Sequence, residues 1–294
     1  EIASCLVGSE MCIRDSFEFD LNVKLIQKKD WYWDMSVNGY TYANKMLNLP
    51  DEYKVSGMPN GNQRIYEGKD IYRWEMRQFA GLDEKGNSLW YMDRDLTDGE
   101  GNVVGVEKVT TGDATEATQY LLEKSALPDF TGGLNTTLRW KSLDLTIMTN
   151  FQFGGYGYDY DFSAFSSANF PMNRLKNYAD AWNPETGKGS APIWNTNDSN
   201  INASSDRFLI SKTYFNLRNI TLGYTFPANW MSKIGIKSVR VYFACDNVFF
   251  ASKRKGYDPR TSMGGQGATV ALNSVDGTYY SPIRTTSVGL NINF

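Results

Sequence analysis

Apolar and polar residues alternate one by one along several long stretches of this chain. Over residues 238–250, Val239, Val241 and Phe243 alternate with Arg240, Tyr242 and Ala244. That two-residue period marks a strand with two unlike faces. The run 213–226 repeats the pattern with a slip. Phe215 and Leu217 share one face, Ile220, Leu222 and Tyr224 continue it, and the phase shifts at Arg218–Asn219. One extra residue in a strand produces a β-bulge, so a bulge is predicted there. Near the start, Phe17, Phe19, Leu21, Val23 and Leu25 alternate with Glu18, Asp20, Asn22 and Lys24. A polar turn comes next at 27–30, and then Trp31, Trp33, Met35 and Val37 alternate with Tyr32, Asp34, Ser36 and Asn38, running on through Tyr40 and Tyr42. These strands exceed the usual ~5–6 residues and suit membrane-spanning strands of ~9–11 tilted residues. Trp31, Trp33, Tyr40, Tyr42 and Trp140 are predicted to form an interfacial aromatic girdle.

A second hairpin is predicted where Leu134, Thr136, Leu138 and Trp140 oppose Asn135, Thr137, Arg139 and Lys141. After a turn at 140–142, Leu143, Leu145 and Ile147 alternate with Asp144, Thr146 and Met148. The last residues, TTSVGLNINF, place Val288, Leu290, Ile292 and Phe294 on one face. Between these regular stretches the pattern is weaker. Residues 48–63 read as a loop, 71–79 as a strand, 81–87 as a turn, 89–92 as a short return strand and 93–102 as an acidic loop. That loop holds Asp93, Asp95, Asp98 and Glu100, spaced one position away from an EF-hand and without its distant Glu. A solvated turn is expected, with a calcium site as the alternative. Two long connections, 154–211 and 251–281, contrast with the short connectors 27–30, 140–142 and 227–237. Long loops at one end and short turns at the other are the habit of outer-membrane barrels, whose long loops are extracellular and whose turns are periplasmic. Connections this long are usually functional or disordered. The first carries Tyr156, Tyr158, Tyr160, Phe162, Phe165, Phe170, Trp182 and Trp194, too aromatic for disorder. Tyr156, Tyr158, Tyr160, Phe162, Trp182 and Trp194 are the candidate ligand-binding rings, set to stack on sugar faces or peptide side chains. Packing against neighbours is the alternative.

Composition narrows the choice. The net charge of −3 argues against a nucleic-acid surface. No run approaches the ~18 apolar residues of a membrane helix, whereas a barrel strand needs apolar residues only at alternate positions. Histidine is absent, which removes the commonest general base and most zinc ligands. Asp159, Asp161, Asp180 and Glu185 offer carboxylates, but no spacing picks out a pair of the kind glycoside hydrolysis needs, so no enzyme is expected. Cys5, Cys12 and Cys245 show no disulfide pattern. Residues 4–16, SCLVGSEMCIRDS, do not match the alternating pattern that begins at Phe17 and are too poor in apolar residues for a signal peptide. They resemble translated sequencing-adapter readthrough, so residues 1–16 are expected to be non-native and 17–294 to be the protein proper.

The runs at 128–133 (PDFTGG), 182–185 (WNPE), 206–224, 246–247 (DN) and 256–259 (GYDP) resemble the C-terminal barrel of the SusC/RagA family, TonB-linked outer-membrane importers of Bacteroidetes. The resemblance covers about residues 17–294. It implies an all-β fold: part of a large antiparallel transmembrane barrel, to which this chain would contribute about nine of about 22 strands. It further implies a plug, a signal peptide and an energy-coupling segment lying outside this chain. The partners it implies are a SusD-like lipoprotein, the TonB–ExbB–ExbD complex and outer-membrane lipid. The imported substrate would be a glycan or peptide, with no cofactor required. Two other readings stay open, a surface β-sandwich for adhesion or carbohydrate binding and a siderophore-type TonB-dependent receptor. A barrel wall places Leu21, Leu145, Val241 and Leu290 in one outward band ~25 Å tall. A sandwich turns them into a common core. An isolated stretch of wall should also be an open sheet with free edges near 17–27 and 285–294.

Overall fold

The computed structural model describes residues 12–166, 180–195, 200–231, 235–254 and 283–294, with 176, 198 and 233 between them. Residues 4–11, Phe170, the GYDP run at 256–259 and most of the second long connection lie outside the described residues. Seven long strands form one antiparallel sheet: β1 (Cys12–Gln27), β2 (Trp31–Met46), β10 (Pro128–Trp140), β11 (Leu143–Gly154), β14 (Tyr214–Thr225), β15 (Ser238–Ser252) and β16 (Thr285–Asn293), neighbours in that order. The short turns after β1, β10 and β14 lie at the base of the sheet. The connections after β2, β11 and β15 are long and leave from the opposite end, the rim.

Cross-strand register turns the sequence alternation into two continuous faces. Ile26, Trp33, Leu138, Leu145, Leu222, Phe243 and Val288 lie side by side across all seven strands. The adjacent row on the other face reads Asp34, Thr137, Thr146, Thr221, Ala244 and Ser287. On the apolar face Leu21 is 54% exposed, Val241 37% and Leu290 58%, and Leu145 shares their side. None of the three buried clusters in the described residues draws on this face. The sandwich reading therefore fails: these side chains converge on no core and need lipid to cover them. From Trp31 to Thr41 the face runs about ten residues, which at ~3.4 Å per residue and a tilt near ~40° gives ~25 Å, the height of a barrel's apolar band.

Among the described residues the main sheet holds seven strands where about nine are expected, because residues 47–127 form a third long connection. Their strands belong to separate small sheets: β3 (Met58–Asn60), β4 (Gln63–Ile65), β5 (Arg73–Arg77) and β9 (Gln119–Ser125) in one, and β6 (Phe79–Leu82), β7 (Ser88–Thr97) and β8 (Val103–Thr111) in the other. Of these, only β7 and β8 reach the length of a wall strand. The stretch 48–63 is thus a 3-10 turn at Asp51–Tyr53 followed by short strands, not an unstructured loop. As expected of an open sheet, β1 and β16 each have a single strand neighbour among the described residues. The ladder of β1 already starts at Cys12, opposite Met46, and passes through the segment read as non-native. Backbone pairing places no demand on side-chain identity there. Within β1 a register slip skips Leu25, and Ile26 takes its place opposite Trp33.

The predicted bulge is present. Met148 and Thr149 of β11 oppose Asn219 and Leu217 of β14, leaving Arg218 as the extra residue, and β15 slips at the same level, where Asn247 has φ +51°. Aromatic rings gather at both ends of the apolar face. Trp31 and Trp140 stand 5.7 Å apart at the base. Toward the rim Phe17, Phe19, Phe130, Phe151 and Phe153 form a chain of rings with neighbouring centroids 5.5–6.4 Å apart. Those rings cover a notch made by Gly39 and Gly132, which face each other across β2 and β10. A Cβ on Gly39 would run into the Phe130 ring. Bulky aromatics shielding paired glycines in this way stabilise a sheet that must bend. Tyr40 and Tyr42 do not join Trp31, Trp33 and Trp140 in the girdle. Strict alternation puts these even-numbered residues on the polar face, and Tyr42 lies under Arg14 at 5.9 Å.

Candidate functional site: the module above the rim

The described parts of the connections that leave the rim pack around three buried clusters. The largest cluster joins Trp74 and Met76 of β5, Leu122 of β9, Tyr158 of β12 (Tyr156–Tyr158) and Leu209 of β13 (Leu209–Ser211) with Phe208 and Ala126. Tyr158 is 3% exposed. Its ring meets Tyr160 edge-on at 4.7 Å and Phe208 at 6.0 Å, its hydroxyl donates to Ser163 Oγ at 3.2 Å, and burial holds its pKa above the ordinary tyrosine value. Phe162 meets Phe208 at 5.3 Å, and the Trp74 indole donates to the Tyr156 carbonyl at 3.1 Å. Four of the six candidate rings, Tyr156, Tyr158, Tyr160 and Phe162, are thus brought together, but by packing against a core. The Trp182 ring lies on Gly86 of the β6–β7 turn, where a Cβ would collide with it, and Ile193 N–H donates to the Gly86 carbonyl at 2.9 Å. Trp194 keeps 46% of its surface exposed. Tyr158 is enclosed while Tyr156, Tyr160 and Phe162 stay partly exposed, so much of the module's aromatic area serves its own core.

One polar contact beneath this core had no signal in the sequence. Asp159 caps α1 (Tyr160–Phe165), accepting from the Phe162 N–H at 3.0 Å, and its own N–H donates to the Phe208 carbonyl at 2.8 Å. Arg254 then grips both carboxylate oxygens: Nη2 donates to Oδ1 at 2.6 Å and Nε to Oδ2. The two side chains are 2% and 3% exposed. Ninety-five residues separate them, so neither local spacing nor hydrophobic pattern could have paired them. The contact ties the first residues after β15 to the connection that follows β11. It also removes Asp159 from any catalytic pair. Asp180 and Glu185 are exposed on the loop beside Trp182.

The acidic stretch is another correction. β7 runs on to Thr97, so Asp93 and Asp95 sit on a strand and the turn is confined to 98–102. Asp93 accepts from the Tyr120 hydroxyl at 2.6 Å. Burial, with that carboxylate as second cause, pushes the Tyr120 pKa up to about 12. Asp98 accepts from the backbone N–H groups of Asn102 and Glu100 at 2.9 Å each, and those donors hold its pKa below the ordinary value. Asp93, Asp95, Asp98 and Glu100 do not converge. Among the described residues no group of three acidic, Cys or His side chains is placed to hold a metal ion. A cavity of about 490 Å³ opens between the upper ends of β1 and β2 and the β9–β10 junction, lined by Asp15, Tyr42, Asn44, Asp70 and Asp129 among others.

On the polar face of the sheet several charges are satisfied. Arg240 forks onto Asp144 at 3.1 and 2.5 Å, passing over Gly223, where a Cβ would meet both groups. Arg139 lies 5.2 Å from the Tyr32 ring. Elsewhere the face carries amides and hydroxyls, with Asn216 donating to Asn150 at 2.8 Å, and exposed charges at Glu18, Asp20 and Lys24 of β1. Such a surface suits a wet lumen.

No family model matches the chain. Among curated proteins it is 24% identical over 299 residues to TonB-dependent receptor P3 of Formosa agariphila, an alignment covering 95% of this chain and 28% of that receptor. It is 25% identical over 284 residues to TonB-dependent receptor SusC of Bacteroides thetaiotaomicron, covering 94% and 26%. Among solved structures the RagAB peptide transporter superposes with a TM-score of 0.73 at 24% identity, over 96% of this chain and 29% of that one. That likeness shows the fold, and the chain spans under a third of the length of these relatives.

Proposed function

Starting from a chain whose homologues are TonB-dependent receptors of the SusC and RagA type, we propose that it forms part of the barrel wall of an outer-membrane importer of glycans or peptides. The observation that carries this reading is the seven-stranded sheet itself, predominantly apolar on one face and polar on the other, with the connections after β2, β11 and β15 leaving from one rim. In this reading the rim module faces the outside and meets a SusD-like lipoprotein. The polar face borders the translocation path. Energy arrives from the TonB–ExbB–ExbD complex through a region outside this chain, and no enzymatic step takes place.

The full-length receptor should fractionate with the outer membrane, and deleting its gene should abolish growth on one class of polymer. Growth lost on a glycan but kept on peptides, or the reverse, names the substrate class. Loss of the same growth on deletion of a neighbouring lipoprotein gene supports the partnership. Recovery of the full-length protein in the soluble fraction would overturn the reading.

A further inference from the structure

The bulge in β14 does more than bend the wall. Alternation counted from the rim puts Asn216 on the lumen face, Leu217 on the lipid face and Arg218 on the lumen face. Counted from the base, Leu222 and Ile220 face lipid while Thr221 and Asn219 face the lumen. The inserted residue therefore sets two polar side chains, Arg218 and Asn219, next to each other on the lumen side, opposite Met148 alone. This pair sits between the level of Ile147 and Ile220 and that of Thr149 and Leu217, midway between Trp31 at the base and Thr41 near the rim, near the middle of the membrane. An arginine on the lipid face at that depth is costly, and the bulge keeps it out of lipid.

Arg218 also stands apart from the other arginines of the wall strands. Arg14 lies over Tyr42, Arg139 over Tyr32, and Arg240 grips Asp144. Arg218 is exposed and has no hydrogen-bond, ion-pair or ring partner among the described residues. The nearest acid in register is Asp246, which instead accepts from Asn219 Nδ2 at 2.8 Å, while Asn219 Oδ1 accepts from the Thr221 hydroxyl at 2.9 Å. So a full positive charge stands on the lumen side with one carboxylate, Asp246, in its row, engaged by Asn219, while Asn135, Ser36 and Met148 of that row are uncharged. Ionisable side chains held at membrane depth are retained for function and face a partner. A guanidinium offers parallel donors that match the two oxygens of a carboxylate.

We propose that Arg218 is a carboxylate-binding residue of the lumen, set in place by the bulge. The inference rests on the importer reading. Two sources carry the group: the transported molecule, as a uronic acid or a peptide C-terminus, and a side chain of the full-length receptor outside this chain. The test uses full-length receptor as wild type, Arg218→Gln and Arg218→Lys, with titration calorimetry and melting temperature as readouts. The probes are a short peptide with a free C-terminus and its amidated copy, and an oligogalacturonate and its methyl ester. Binding of an acidic probe weakened about ten- to a hundredfold in Arg218→Gln, less so in Arg218→Lys, with the neutral copy unaffected, assigns the carboxylate to the cargo. Unchanged binding with a lower melting temperature in Arg218→Gln, restored in part by Arg218→Lys, assigns it to the receptor. Should wild type bind no probe, the melting temperatures alone decide, and the substrate part of the importer reading fails separately. Equal affinities and equal melting temperatures across the three proteins overturn the proposal.

Discussion

The wall and the rim module solve the problem of apolar surface in opposite ways. In the wall no apolar residue of the outer face is buried by protein. Leu21, Phe243 and Val288 stay open, and the ordering comes from backbone ladders and same-face rows. In the module Trp74, Trp90, Tyr158 and Phe208 are enclosed, and the enclosure extends to an ion pair. The wall borrows its apolar environment from lipid, so each position answers mainly to depth and side. The module must build its own interior, so each position answers to contacts made far along the chain.

The widest separation between the two regions should come from the buried pair. Arg254→Ala leaves Asp159 enclosed and uncompensated, a cost of about 3–5 kcal/mol, and should expose residues 156–166 to protease and hydrogen exchange while heat-modifiable migration of the barrel is retained. Loss of both together would show that module and wall are one cooperative unit. In the wall, adjacent residues should behave as opposites. Ile220→Arg puts a charge on the lipid face near the midplane and should cost about 2–4 kcal/mol, seen as failed membrane insertion. Thr221→Arg, one position on, faces the lumen and should insert normally. Gly39→Val drives a branched side chain into the Phe130 ring and should cost about 1–3 kcal/mol of wall stability in urea titration. The mildest change is Tyr120→Phe, which deletes the hydroxyl bonded to Asp93 at about 1 kcal/mol. Because the pKa of Tyr120 lies above its free value of 10.0, at about 12, its contribution is complete below pH 10 and fades as pH rises through 12. The difference in tyrosinate absorbance between wild type and Tyr120→Phe should appear only near the upper end of that window.

These outcomes track the line between what was legible and what was not. The wall strands, the base turns and the slip at Arg218 could be read from alternation, since neighbours in sequence decide them. The same rule misplaced Tyr40 and Tyr42 only where ring chemistry was allowed to outweigh parity. In the module the signals misled. The strands expected at 71–79 and 89–92 count towards the wall because small-sheet strands and wall strands share a period, and residues 93–102 read as a loop because acidic residues tolerate an exposed strand. The aromatics of residues 154–211 announced an ordered region. Whether a ring such as Tyr158 or Trp194 turns inward or outward depends on Trp74, Phe208 and Gly86, which lie far away in sequence.

By itself the sequence determined the two-faced alternation of the wall strands, the slip at Arg218, and that one face needs an apolar surround. These are local properties of a two-residue period. The slips at Leu25 in β1 and beside Asn247 in β15 appear only in the structure. The tertiary structure alone decided that β2 lies beside β10, that Arg254 meets Asp159, and that Tyr158 became core with Tyr156, Tyr160 and Phe162 packed against it. Each of those depends on groups brought together across tens of residues, and the free energy of such a meeting resides in the enclosure, which no stretch of sequence carries alone.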